Sequence, residues 1–253
     1  MSGSILIVGH SHIRCLMEAW NKRAGYEGEY DVEFVDLIWL ERQEKLAGRQ
    51  VGDAVKRRVR NPSPNYICQC VNGNFHNVLG IVENPVPFSV GEENYGSAPV
   101  GNGRWFIPSS VMMDVFQARF ERACKAIESV FAAFPESTRL YLNPPPPVAD
   151  WEHIKAYPGV FSDNIHLGPA PNDLKIRLYE LQTAYFENVA RVQAASFIRA
   201  APETLTSDGF LRADYYNADP THGNMRYGQV MLEEIFKNAQ KFRRLTRVSE
   251  SLT

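Results

Sequence analysis

No stretch of the sequence reaches the roughly 18 apolar residues that a helical membrane span requires. Charge of one sign is also scarce. With 27 Lys and Arg against 29 Asp and Glu, the formal net charge is -2, which leaves no electrostatic footprint for a nucleic acid. The densest basic stretches, Lys56-Arg57-Arg58-Val59-Arg60 and Lys241-Phe242-Arg243-Arg244, read as solvated helix faces or ends. Cysteines are few: Cys15, Cys68, Cys70 and Cys124. Cys68 and Cys70 stand two apart on a candidate strand, so they point the same way. Their spacing is not that of a CxxC zinc or redox motif. All four read as reduced core or near-core residues. The N-terminus lacks a basic segment followed by an apolar leader, so a cytoplasmic location is expected. Gly9 is followed by neither GxGxxG nor GxxxxGK[ST], which argues against a dinucleotide or P-loop site. No cofactor and no metal are expected.

What the sequence does have is alternation. Short apolar runs at residues 4–9, 32–37, 66–71, 139–143 and 195–198 read as strands. Between them lie segments of helical period at 13–23, 50–60, 110–134, 173–193 and 225–242. In the third of these Val111, Val115, Ala118, Arg122, Ile127, Val130, Phe131 and Phe134 mark a stripe, with Ser109 or Ser110 as its cap. In the fourth the stripe is Leu174, Leu178, Leu181, Tyr185, Val189 and Val192. Strands alternating with helices predict an α/β, flavodoxin-like three-layer sandwich around a central parallel sheet of about five strands. No linker, low-complexity run or repeat divides the 253 residues, which predicts a single domain.

Two segments exceed a minimal sandwich. Residues 83–108 are dense in Pro, Gly and Asn and read as an inserted loop, with Phe88, Tyr95, Trp105 and Phe106 folding it back on the body. Asn143-Pro144-Pro145-Pro146-Pro147 must be extended, as a rigid wall beside the strand ends. Residues 245–253 read as a loose tail.

In a doubly wound sheet, ligands bind beyond the carboxyl ends of the strands. His10-Ser11-His12 follow the first strand, and Asn72-Gly73-Asn74-Phe75-His76-Asn77 the third. Asp219-Pro220-Thr221-His222-Gly223-Asn224 precede the last helix. A serine hydroxyl needs a base, and the base needs a third group to fix its tautomer. Asp219 and His222 are three apart, close enough for one short turn to join them. Asn74 offers a side-chain NH2 to a developing oxyanion, a donor worth about 10²–10³ in rate.

GHSH, NGN and DPTH, in this order, resemble three motif blocks of the SGNH (GDSL-like) hydrolase superfamily. The likeness spans nearly the whole chain. It implies a flavodoxin-like fold and metal-free hydrolysis of esters, often acyl groups on carbohydrates or lipids. Position by position it implies Ser11 as nucleophile, His222 as base, Asp219 as its partner and Asn74 as oxyanion donor, with Gly73 in the variable place of its block. A further oxyanion glycine should follow the second strand; Gly48 and Gly52 are candidates, with Gly48 favoured. Three departures stand out. His10 occupies the usual aspartate position and Asn72 the usual glycine, and the turn from Asn72 to Asn77 is unusually polar. His10, His12, Asn72, His76, Asn77 and Trp105 are thus expected near the substrate.

Blander readings exist for the same residues. Ser11 suits a helix N-cap. Asp219-Pro220 suits a turn. His10, His12, His76 and His222 with Asp219 could group around a metal. GHSH also occurs late in metallophosphoesterases, but no Asp-x-His or Gly-Asn-His-Asp block accompanies it here. His166 is a backup base. The expected activity is removal of a short acyl group, acetyl above all, from a carbohydrate or small-molecule ester through a Ser11 acyl-enzyme. The alternatives are an acyltransferase, a non-catalytic glycan- or metabolite-binding protein, and a metal-dependent phosphoesterase. Oligomeric state is not legible.

Overall fold

Ile5, Leu6, Ile7 and Val8 are almost wholly buried, as an uninterrupted apolar run should be when both faces of its strand are covered. The computed structural model of the chain describes residues 3–22, 30–46, 50–71, 73–92 and 103–250. The run forms β1 (Gly3–Gly9), followed by α1 (Ile13–Asn21), β2 (Tyr30–Asp36), α2 (Leu37–Glu44), α3 (Val51–Arg58) and β3 (Tyr66–Cys70). Next come α4 (Phe75–Gly80), β4 (Phe88–Gly91), β5 (Trp105–Pro108) and α5 (Ser109–Ala133). The chain continues with β6 (Thr138–Leu142), α6 (Trp151–Ala156), α7 (Asn172–Val192), β7 (Ser196–Ile198) and α8 (Met225–Glu250).

Five strands make one parallel sheet in the order β2-β1-β3-β6-β7. The chain therefore reverses its direction of winding between β1 and β3, which opens a crevice at their carboxyl ends. Strand side chains alternate between the two faces. Leu6, Val8, Ile67 and Tyr141 pack with α3, α5 and α7. Ile5, Ile7, Cys68, Cys70 and Leu140 pack with α1 and α8. This is the three-layer α/β sandwich expected, and Cys68 and Cys70 do share a face. All four cysteines are free.

One contact fixes the second layer. A Cβ on Gly228 would lie 2.1 Å from the Cys15 carbonyl oxygen, so α8 and α1 meet backbone to backbone where only glycine fits. Below that point Met231, Leu232, Ile235 and Phe236 of α8 are buried, each adding about 1.5–3 kcal/mol of apolar burial. Phe236 stacks on Tyr30 at 5.1 Å.

Several expectations change. The segment 83–108 is not one loop: β4 and β5 pair in parallel, Phe88 with Trp105 through Gly91 with Pro108. The β-prone triplets Phe88-Ser89-Val90 and Trp105-Phe106-Ile107 were obscured by the surrounding turn residues. Residues 93–102, including Tyr95, lie outside the described residues. Helix α8 runs to Glu250, through much of the segment expected to be a loose tail. The N-terminal stripe of α5 is rotated by one residue. Met112, Phe116, Phe120 and Ala123 are buried, while Val111 and Val115 are exposed. Ser109 does not cap this helix; its hydroxyl donates to the Gly91 carbonyl at 2.8 Å, tying α5 to β4. In α7 the buried face follows Leu174, Leu178, Gln182, Phe186 and Ala190, and Val192 is exposed. A polar residue in that face misled the heptad reading. The proline run is buried, and Pro144 packs against Gly73 in the turn after β3. Among the described residues no helix is long and apolar enough to cross a membrane.

Candidate active site

Ser11 lies in the turn between β1 and α1. The residue that caps α1 is His12, and no side chain caps it. The Ser11 hydroxyl is directed elsewhere: its Oγ lies 2.7 Å from His222 Nε2. His222 Nδ1 lies 3.0 Å from Asp219 Oδ1. With Nδ1–H given to the carboxylate, Nε2 is left as an acceptor, and Ser11 donates to it. Asp219 is held in turn. Its Oδ1 accepts from the backbone N–H groups of Thr221 and His222, each at 2.8 Å. Its Oδ2 accepts from Asn217 Nδ2 at 2.7 Å. Burial alone would raise the carboxyl's pKa. The hydrogen bond and charge of His222, with the bonds from Thr221 and Asn217, outweigh it and hold Asp219 well below the usual carboxylate range. His153 Nε2, from α6, donates to the Asp219 carbonyl at 3.3 Å.

Asn74 ends the turn after β3. The turn depends on Gly73, whose φ of 119° is foreign to L side chains and whose Cβ would lie 2.5 Å from Pro144 Cγ. A buried glutamine holds it from behind. Gln182 Oε1 accepts from His76 N at 2.9 Å and its Nε2 donates to the Gly73 carbonyl. His76 Nδ1 donates to the same carbonyl at 3.0 Å. The Asn74 Oδ1 accepts a long 3.5 Å bond from Asn77 Nδ2. Its own Nδ2, and the backbone N–H of Ser11, donate to no acceptor among the described residues.

The two groups open on two cavities whose linings include successive residues, His10 and Ser11, after β1. One, of about 170 Å³, is lined by Ser11, Arg14, Asn217, Asp219 and His222. The other, of about 290 Å³, is lined by His10, Glu41, Asn74, Phe75, Arg119 and Arg122. The chain passes from one wall to the other between His10 and Ser11.

Of the residues expected near a substrate, His10 alone lines a cavity with Asn74; its Nε2 lies 3.9 Å from Glu41 Oε2. His76 and Asn77 are buried and brace the turn instead. His12, though largely buried, lines the smaller cavity beside Ser11, its ring centroid 4.8 Å from that of His222 and tilted by 47°. Burial, and then the neighbouring histidines, hold His12 well below its ordinary pKa, and burial carries His76 down to about 4. Trp105 is 70% exposed and lines neither cavity; it spends its side chain on the outer edge of the β4–β5 ribbon. Gly52 packs against Ser129 of α5, away from the site. Gly48 and Asn72 lie outside the described residues. His166 sits in a 3₁₀ segment, Gly159–Leu167, away from both cavities. Among the described residues no three His, Cys, Asp or Glu side chains are grouped to hold a metal.

No protein-family model and no curated protein matches the chain. Solved structures do. A protein of Streptococcus pneumonia provisionally named a platelet activating factor is 12% identical with a TM-score of 0.51, over 94% of this chain and 84% of its own. The periplasmic domain of a lipopolysaccharide acetyltransferase from Salmonella ser. Paratyphi A is 12% identical, with a TM-score of 0.48 over 94% and 84%. A GDSL-like lipase of Bacteroides thetaiotaomicron is 12% identical, with a TM-score of 0.45 over 94% and 88%. What is shared is a fold. The chain shares the fold of the Streptococcus protein, a five-stranded parallel sheet between layers of helices.

Within this fold, five residues that shape the site escape the sequence reading. Gln182 was legible as the one amide interrupting a buried helical face. Asn217, Thr221 and His153 carried no signal, because each acts through a short-range bond to Asp219 or His222. Glu41 carried none either, since α2 itself was not recognised.

Proposed function

We propose that the protein is a serine ester hydrolase of the SGNH type. It releases a short acyl group from a carbohydrate or other small-molecule ester. One observation carries the reading: the continuous relay from Asp219 through His222 to Ser11, with both bonds at hydrogen-bonding distance. A surface turn that merely contained these residues would have no reason to align them.

In the proposed reaction His222 takes the Ser11 proton as Oγ attacks the ester carbonyl. The carbonyl oxygen becomes an oxyanion, to which Asn74 Nδ2 and the Ser11 N–H donate. Collapse breaks the bond to the alcohol oxygen, which leaves with the proton from His222. The acyl group stays on Ser11. Water then attacks the acyl carbonyl, giving its proton to His222. Ser11 departs, recovers that proton, and the free acid is released. Asp219 keeps its negative charge throughout and steadies the imidazolium.

The test is labelling with a fluorophosphonate, read by intact and peptide mass. A single adduct on Ser11, absent from Ser11→Ala and unchanged by chelator, is the expected result. Folded protein that takes no adduct overturns the reading.

A further inference from the structure

The cavity beside Asn74 has a charge pattern that a bare acetyl group would leave unused. Its wall carries two guanidinium groups and one carboxylate, Arg119, Arg122 and Glu41. Arg122 is committed: its Nη2 lies 3.4 Å from Glu41 Oε2 and donates to the Leu46 carbonyl at 3.1 Å. Glu41 is shared with His10. Arg119 has no such partner. It forms no ion pair among the described residues, and its guanidinium is held 5.2 Å over the ring of Phe75. Phe75 is the residue after Asn74. The stacking therefore parks an uncompensated positive charge one residue from the oxyanion donor, on a wall that Phe120, Ala123 and Ala126 make otherwise apolar.

The direction of the reaction assigns the two cavities. The leaving alcohol must receive its proton from His222, which lines the smaller cavity with Ser11. The alcohol therefore leaves on that side, and the acyl chain extends past Asn74 into the larger one. We propose that the larger cavity holds an acyl chain ending in an anion, a dicarboxylic hemi-ester of the succinyl kind, with Arg119 receiving the distal carboxylate. This rests on the Ser11 reading and narrows its acyl group. Hydrolysis would then convert the hemi-ester and one water into the alcohol and the free dicarboxylate. Arg119 is a specificity residue and takes no part in bond making.

The experiment compares two aryl esters of equal chain length, mono-4-nitrophenyl succinate and 4-nitrophenyl butyrate. The wild-type protein should favour the anionic ester in kcat/KM by at least about tenfold, the return of one charge-assisted hydrogen bond. Arg119→Glu should abolish or reverse that ratio, and Arg119→Lys should keep part of it. Lys125→Glu makes the same charge change further along α5, where Lys125 pairs with Glu121, and should leave the ratio within about twofold. Calorimetric titration with succinate gives a readout that needs no turnover: binding to wild type, lost in Arg119→Glu. Equal use of the two esters, or a preference that survives Arg119→Glu, overturns the proposal even if Ser11 labels. Succinate binding lost in Arg119→Glu, without any labelling of Ser11, sinks the ester reading and upholds the anion site.

Discussion

His222 Nε2 and Ser11 Oγ lie 2.7 Å apart although 211 residues separate them in the chain. Neither residue's own element brings this about. The turn after β1 is fixed by the sheet, and the turn before α8 by the docking of that helix on α1. The pair exists because two independently anchored segments end at the same edge.

If that pair works as proposed, its tautomer is set by Asp219. Asp219→Asn should lower kcat by about 10⁴ with little change in KM, because an amide can stabilise the wrong imidazole tautomer. Stopped-flow or steady-state kinetics on an aryl ester would show it. Asn217→Ala removes one of the bonds that hold the carboxylate and should cost roughly tenfold.

Asn74→Ala should reduce kcat by about 10²–10³ and leave KM nearly unchanged, as expected for a donor that pays off only in the transition state. A loss confined to KM would place Asn74 in ground-state binding and remove it from the oxyanion role.

Gln182→Leu keeps the size of a fully buried side chain while stranding the His76 N–H and leaving the Gly73 carbonyl with only its bond from His76 Nδ1. One orphaned donor and one lost bond should cost about 2–4 kcal/mol in urea denaturation. Because the same turn aims Asn74, kcat should fall as well, even at temperatures where the variant is fully folded.

Stability should fall as the solution is acidified below about pH 6.5. His76 is buried with its pKa down to about 4, against an ordinary 6.5. Between these values the unfolded chain binds a proton that the folded chain refuses. The stabilisation is therefore complete above pH 6.5 and lost as pH approaches 4, to a total of about 3 kcal/mol from this residue. His12 is shifted in the same direction and adds to the slope. Asp219 behaves differently. Its carboxylate is favoured by folding, so its contribution survives until pH falls below its ordinary 3.8. Denaturation midpoints from pH 7 to 4.5 should drop for wild type and drop less for His76→Gln.

The sequence was most legible where one physical signal dominated. All five strands of the main sheet, and the helices α1, α3, α5, α7 and α8, followed from apolar runs and turns, to within a residue or two at most ends, while the short α2, α4 and α6 did not. Ser11, Asn74, Asp219 and His222 were visible because each sits just past a strand or before a helix. What escaped was whatever depended on a partner distant in sequence. His76 and Asn77 looked like a polar rim and proved to be buried, with the His76 N–H bonded to Gln182 of α7 and its Nδ1 to the Gly73 carbonyl. The buried face of α7 was misjudged for the same reason: Gln182 and Thr183 lie inside it, bonded to the Gly73 turn and to Asn143. The β4–β5 ribbon was hidden by proline and glycine around it.

Replacing Gly228 by alanine would force α8 away from the Cys15 carbonyl by more than an ångström, since real Cβ contacts do not approach 2.1 Å. Such overpacking usually costs about 1–3 kcal/mol. The sheet should keep its circular dichroism while esterase activity falls out of proportion, and crystallography should show His222 displaced from Ser11.

That backbone contact also sets an order of events. Ser11 leaves the ribosome 211 residues before the imidazole that would activate it. Until α8 has settled against Cys15, a nascent or C-terminally nicked chain carries an inert serine. On the proposed mechanism, the capacity to attack an ester would thus report that α8 has docked on α1.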